Sequence, residues 1–280
     1  VYVPAGSHPA YLELDWARAH AETILLLHGM GSCGEDWVLQ RNALRGRYHL
    51  LSLDLPGHGR SRRLSGWPSI VSLSQAARRA IERWAPTRPV HLVGLSLGAA
   101  VGLQLLVDHP QLLRSAILVN GFGSGLLAGR GLRHAAQRAA LIAAGRMDLL
   151  GARIAAGLFP RLEQAAYRSL AARRIGANPW LNYLKLLTAI GRFDLRPCLA
   201  AITCPILLVS GERDDTVPRG ASEDLARRIP RAQWITLPDA KHAAPIDSAE
   251  AFNALLLEFL ASNHAGVPET VSPVTREVRV

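Results

Sequence analysis

Three kinds of residue in this chain could act together on a carbonyl group. The first is Ser96, at the centre of Gly94-Leu95-Ser96-Leu97-Gly98. The second is a carboxylate from Asp214 or Asp215, in Gly211-Glu212-Arg213-Asp214-Asp215-Thr216-Val217-Pro218. The third is His242, one of ten histidines and the one in a loop that follows a strand pattern downstream of those acids. A serine hydroxyl is a weak nucleophile near neutral pH. It needs a base within hydrogen-bond reach, and the base needs a carboxylate to orient it. A lone loop histidine is as a rule a solvated side chain, and two adjacent aspartates suit a turn. The chain order Ser, Asp, His, with each residue just past an apolar strand-like run, favours the catalytic reading. Residue types and spacing alone leave Asp214 and Asp215 equivalent.

Attack on a carbonyl places negative charge on its oxygen, which backbone N–H groups can stabilise. The residue after the nucleophile, Leu97, supplies one donor. The other belongs to the glycine-rich loop His28-Gly29-Met30-Gly31-Ser32, with Met30 the best placed. His28 and His58, both in glycine turns, are read as structural.

These residues need a scaffold that brings distant loops to one edge. Apolar, β-favouring runs at 23–27, 48–53, 90–95, 115–120, 205–211 and 233–237 alternate with helical patterns such as 74–84. Continuous apolar strands between amphipathic helices predict a parallel sheet covered on both faces, with functional loops at the strands' carboxyl ends. The alternating run 11–16 reads as an edge strand. From 126 to 193 the strand signal disappears, and helices are expected at 132–145, 149–159, 161–175 and 179–191, the last with Pro179 in its first turn. Asp247 to Glu250 resembles a cap for a final helix whose apolar face is Phe252, Leu255, Leu256, Phe259 and Leu260.

Composition narrows the function classes. The length of 280 residues suits one large α/β domain carrying an insertion. No apolar run is long enough for a membrane span, and residues 1–9 lack a basic-then-apolar leader pattern. Three scattered cysteines, Cys33, Cys198 and Cys204, predict reduced thiols in a cytoplasmic protein. No spacing of cysteine and histidine suggests a metal site, and no cofactor is expected. The formal charge is +10. Residues 122–197 hold eleven arginines and one lysine against three acids, which accounts for nearly all of it. Arg130, Arg133, Arg138, Arg146, Arg153, Arg161, Arg168, Arg173 and Arg174 could receive an anionic or carrier-linked substrate. Nucleic acid is disfavoured, because no recognition motif or aromatic interleaving accompanies the charge.

Five motifs in order give the chain a resemblance to the α/β-hydrolase fold superfamily, in its lid-bearing esterase branch, over about residues 10 to 262. They are His28-Gly29-Met30-Gly31 with Trp37, Asp54-Leu55-Pro56-Gly57-His58-Gly59-Arg60-Ser61, Gly94 to Gly98, Gly211 to Pro218, and His242 before the last helix. The resemblance implies a mostly parallel, doubly wound sheet with a helical cap after the sixth strand. The core would comprise 1–122 and 198–263, the cap 123–197 and a flexible tail 264–280. It also favours Asp214 over Asp215, since the family's acid commonly opens Asp-x-x-Val-Pro. Ser96 departs from the Asp nucleophile of dehalogenases and epoxide hydrolases of this fold. Leu95 and Ala243 stand where carbon–carbon-bond hydrolases often have Asn and Trp. The expected function is a serine hydrolase acting on a small-molecule carboxylic ester, thioester or lactone through Ser96, His242 and Asp214, with Met30 and Leu97 N–H as the oxyanion donors. The alternatives are a perhydrolase, a carbon–carbon-bond hydrolase, a non-hydrolytic cyclase, lyase or acyltransferase, or a slow ligand-binding relative.

Overall fold

A computed structural model describes residues 2–3, 10–125 and 130–264. Eight strands form one sheet: β1 (Tyr2–Val3), β2 (Ala10–Asp15), β3 (Thr23–Leu27), β4 (His49–Asp54), β5 (Val90–Leu95), β6 (Leu113–Val119), β7 (Ile206–Gly211) and β8 (Ala232–Leu237). Their spatial order is β1-β2-β4-β3-β5-β6-β7-β8. The first two pair antiparallel at one edge, and the remaining neighbours pair in parallel.

The continuous apolar runs are explained by burial on both faces. In β3, Leu25 and Leu27 point into one core while Ile24 and Leu26 point into the other. The first core is closed by α2 (Ile70–Trp84) and α3 (Leu97–Asp108). The second is closed by α1 (Val38–Leu44) and the final helix α10 (Ala249–Ser262), with Phe252, Leu256, Phe259 and Leu260 turned inward. The helix numbering includes four between β6 and β7: α4 (Arg130–Ala143), α5 (Met147–Leu158), α6 (Ala165–Gly176) and α7 (Trp180–Gly191). Two more follow β7, namely α8 (Arg219–Arg228) and the short α9 (Ala244–Asp247). The inserted helices have a small core of their own, Ile142, Met147, Leu150, Ile175 and Tyr183, against which Met30 packs. No helix among the described residues is long and apolar enough to cross a membrane.

Several boundaries differ from expectation for physical reasons. Helix α2 starts at Ile70, not 74, because Ser69 and Ser72 form a reciprocal capping pair. Pro179 sits just outside α7, at its N-cap. The expected cap at Asp247 is absent: Ser248 occupies the N-cap of α10 without a side-chain bond, because the Asp247 carboxylate is engaged elsewhere. Strand β6 ends at Val119, and Asn120 turns out of it with φ of 47°. The side chains of Arg130 and Arg133 and the tail from 265 lie outside the described residues.

Candidate active site

Ser96 stands between β5 and α3 with φ 54° and ψ −107°, a strained conformation for a residue other than glycine. Its N–H is held by Val119 O at 2.9 Å, which fixes the turn against β6. Two glycines make the crossing possible. A Cβ on Gly94 would lie 2.6 Å from Gly98 O, and one on Gly98 would lie 2.1 Å from Leu27 O. Helix α3 therefore starts in direct contact with the end of β3. Leu97 opens α3, so its N–H has no intrahelical acceptor and lies at the positive end of the helix.

The Met30 loop is a tight turn, closed by Ser32 N–H to Gly29 O at 3.2 Å with Gly31 at φ 80°. His28 braces it from below: Nδ1–H donates to Gly29 O at 2.8 Å, and Nε2 accepts the Leu55 N–H at 2.9 Å. Both bonds need a neutral ring, and burial lowers the His28 pKa from 6.5 to about 4. His58 packs edge-on at 5.0 Å, and burial, reinforced by the nearby His28, lowers its pKa to about 3. Both histidines are structural, as expected. Asp54 completes this scaffold by accepting the Gly34 N–H at 2.7 Å and the Arg60 N–H at 2.8 Å.

Asp214 and His242 meet across the ends of β7 and β8. His242 Nδ1–H donates to Asp214 Oδ2 at 2.8 Å, and Asp214 Oδ1 accepts the Thr216 and Val217 N–H groups at 2.7 and 3.1 Å. The Asp214 side chain is 4 % exposed, whereas Asp215 is 62 % exposed and bonds Lys241 Nζ at 3.3 Å. Geometry thus separates two aspartates that sequence pattern left equivalent. With Nδ1 occupied, Nε2 is the His242 nitrogen available for proton transfer.

Ser96 and His242 line one cavity of about 300 Å³ together with Met30. No hydrogen bond joins Ser96 to His242 among the described residues, a looseness common before substrate binds. The remaining wall is largely apolar and comes from the inserted helices, with Leu141, Leu150, Ile154, Leu158 and Ile175 prominent. Among the described residues, no group of three metal-binding side chains gathers.

Three positioning residues escaped the sequence reading. Asn120 accepts the Gly211 N–H at 2.9 Å and donates to His242 O at 2.8 Å, so it ties β6 to the loops carrying Asp214 and His242. An asparagine directly after a strand and before a glycine is the only trace of this in the sequence. Asp247, in α9, accepts the Lys241 N–H at 2.7 Å, and Asn178 donates to Gly31 O at 3.1 Å. The Asn178 contact, between residues 147 apart, leaves no local pattern.

Comparison with known proteins agrees with this geometry. Residues 24–255 match the model of the alpha/beta hydrolase family. A Klebsiella pneumoniae protein named "Putative carbamate hydrolase RutD" is 34 % identical over 267 residues, covering 92 % of this chain and 96 % of that one. A hydrolase structure from Pseudomonas aeruginosa PA01 superposes with a TM-score of 0.83 at 25 % identity, covering 93 % of this chain and 97 % of that chain. The enol-lactonase of Burkholderia xenovorans LB400 shares the fold, with a TM-score of 0.84 at 23 % identity over 93 % of this chain and all of that one. The strained serine turn, the sheet order and the family match over residues 24–255 lead to one conclusion: this chain is a hydrolase of the alpha/beta hydrolase family.

Proposed function

We propose that the chain cleaves carboxylic esters through a covalent acyl-enzyme, with Ser96 as nucleophile, His242 as general base and acid, and Asp214 as the group that orients the imidazole. The observation that carries this reading is the strained Ser96 turn facing a cavity that also exposes His242, whose far nitrogen is locked onto Asp214 at 2.8 Å. Ser96 Oγ attacks the acyl carbon while His242 Nε2 takes its proton. The carbonyl oxygen becomes an oxyanion near the Met30 and Leu97 N–H groups. Collapse expels the alcohol, protonated by His242, and leaves the acyl group on Ser96. Water, deprotonated by His242, then attacks the acyl carbon, and the carboxylic acid leaves as Ser96 regains its proton.

The inserted helices α4–α7 act as a cap in this reading, because they provide most of the apolar wall. A cavity of about 300 Å³ suits a small organic ester. Relatives carrying the carbamate hydrolase name motivate a second substrate class, since a carbamate presents the same carbonyl to the same nucleophile. The nitrogen lone pair makes that carbonyl less electrophilic, so the carbamoyl-enzyme should form and break down more slowly.

A matched panel of esters, thioesters, lactones and carbamates tests the assignment, alongside labelling by a fluorophosphonate. Acid release from at least one acyl class, with label on Ser96 and a drop of about ten-thousand-fold in kcat for Ser96→Ala, supports it. Normal turnover by Ser96→Ala overturns it. Products that incorporate no oxygen from labelled water would instead identify a cyclase, lyase or acyltransferase.

A further inference from the structure

The wall of the catalytic cavity is mostly apolar, with polar side chains around Ser96 and His242, at Asp36 and Arg174, and on α4 and α5, where Gln137, Arg138 and Arg153 line it. Three arginines among the described residues reach the wall, and they are not equivalent. Arg174 is ion-paired to Glu35 at 2.7 Å and to Asp36. Arg153 is exposed and donates to Gln137 Oε1 at 3.1 Å. Arg138 is half-buried and, among the described residues, has neither an ion pair nor a hydrogen bond. The acids of the wall cannot serve it, because Asp36 is held by Arg174 and Ser32, and Asp215 by Lys241.

A guanidinium withdrawn from water without a counter-ion is unfavourable, and an arriving anion relieves that cost. Tyr183, 2 % exposed, lines the same wall, and the charge of Arg138 opposes the effect of burial on its phenol. Burial outweighs that charge and raises the phenol pKa above its ordinary value, so the hydroxyl keeps its proton and remains a donor. A cation and an O–H donor on one cavity wall suit a carboxylate.

Building on the hydrolase reading above, we propose that the inserted-helix end of the cavity binds a carboxylate carried by the substrate itself, with Arg138 as its cation and the Tyr183 hydroxyl as a second donor. The substrate class is then an ester whose non-reacting end is a free acid, such as the half-ester of an aliphatic dicarboxylic acid. The apolar side chains of the cavity wall accommodate the methylene chain. Most other arginines of the segment are committed elsewhere: Arg146 to Asp148 at 2.9 Å, Arg161 to Asp247 at 2.6 Å and Arg173 to Ser169 at 2.6 Å.

Calorimetry on the full chain carrying Ser96→Ala, with monomethyl adipate against dimethyl adipate, measures the site without requiring turnover. The half-acid should bind about tenfold tighter than the diester. Adding Arg138→Gln should bring that ratio close to one, and Arg138→Lys should retain part of it. Arg146→Gln, which removes an exposed charge outside the cavity, should leave the ratio unchanged. Equal binding of the two esters, or a ratio that survives Arg138→Gln, overturns the proposal. Acid release by the unmutated chain is assayed with the same pair. Half-acid selectivity in binding with no hydrolysis of either ester keeps the anion site and counts against carboxylic esters as the substrate. Equal binding with hydrolysis of both does the reverse.

Discussion

The buried carboxylate of Asp247 accepts the backbone N–H of Lys241 at 2.7 Å, one residue before His242. The same carboxylate receives Arg161 at 2.6 Å and the Gln164 amide, both from the connection between α5 and α6. One side chain thus joins the inserted helices to the loop carrying His242. Asp247→Ala would leave the Lys241 N–H unpaired, at a cost of about 1–3 kcal/mol in stability. Because the His242 loop loses its anchor, kcat should fall about tenfold with a smaller change in KM. Asp247→Asn, which keeps an acceptor, should recover part of both. Urea unfolding and steady-state kinetics on the same preparations check this, and an unchanged kcat would show that the contact is purely structural.

Asn120 supports the same loop from the other side. Its backbone φ of 47° is tolerated by Asn or Gly, and its side chain bridges Gly211 N–H and His242 O. Asn120→Gly keeps the backbone conformation but loses both bonds, whereas Asn120→Ala adds strain to the loss. Both variants should lower kcat, by about tenfold or more. Asn120→Ala should in addition unfold at lower urea concentration than Asn120→Gly. Equal stability of the two would contradict the strain argument.

The legibility of this chain in its sequence follows the range of each interaction. The strands of the central sheet were readable because a strand buried on both faces must be continuously apolar, as Thr23–Leu27 and Val90–Leu95 are. The Ser96 turn was readable because two close backbone approaches forbid a Cβ at Gly94 and Gly98. The choice of Asp214 over Asp215 rested on family resemblance, since both flank one turn and burial separates them only in three dimensions. Asp247 was misread as a helix cap because its local pattern fits one, while its partners Arg161 and Gln164 lie more than eighty residues earlier. Arginine-rich composition showed a positively charged segment but not which of its guanidinium groups line the cavity.

Acid should destabilise the fold through the two buried histidines. The folded-state pKa of His28 is depressed from 6.5 to about 4, and that of His58 to about 3. Below pH 6.5 the unfolded chain takes up these protons while the folded one excludes them, so stability is complete above 6.5 and declines as pH falls toward 4. Each histidine contributes a slope of ~1.4 kcal/mol per pH unit over its window, about 3 kcal/mol in total for His28. His28→Gln, which can still accept the Leu55 N–H, should make the acid limb shallower by one proton. Unfolding free energies measured between pH 7 and 4.5 test this, and identical slopes for the two proteins would contradict it.

Glycine positions give a paired test of packing. Gly98→Ala would place a methyl group against Leu27 O, with backbone on both sides, and should cost several kcal/mol, on the order of 3 or more. Gly157, near the end of α5, has nothing within 4 Å of an added Cβ. Gly157→Ala should therefore stabilise the chain by about 0.5–1 kcal/mol, by restricting the unfolded backbone. Thermal unfolding of both variants reads the sign of each change.

The central claim is that substrate becomes covalently attached to Ser96, and the acyl-enzyme itself is the most direct observation of it. An activated aryl carbamate or a slowly deacylating ester would be mixed with the protein, quenched in acid within the first turnover and examined by intact and peptide mass spectrometry. The account predicts a stoichiometric acyl or carbamoyl adduct on the peptide containing Ser96, formed with a burst of leaving group. Asp214→Asn should slow its formation, and Ser96→Ala should abolish it. Full-rate hydrolysis of the same compound by Ser96→Ala, or an adduct confined to another residue, would contradict the account.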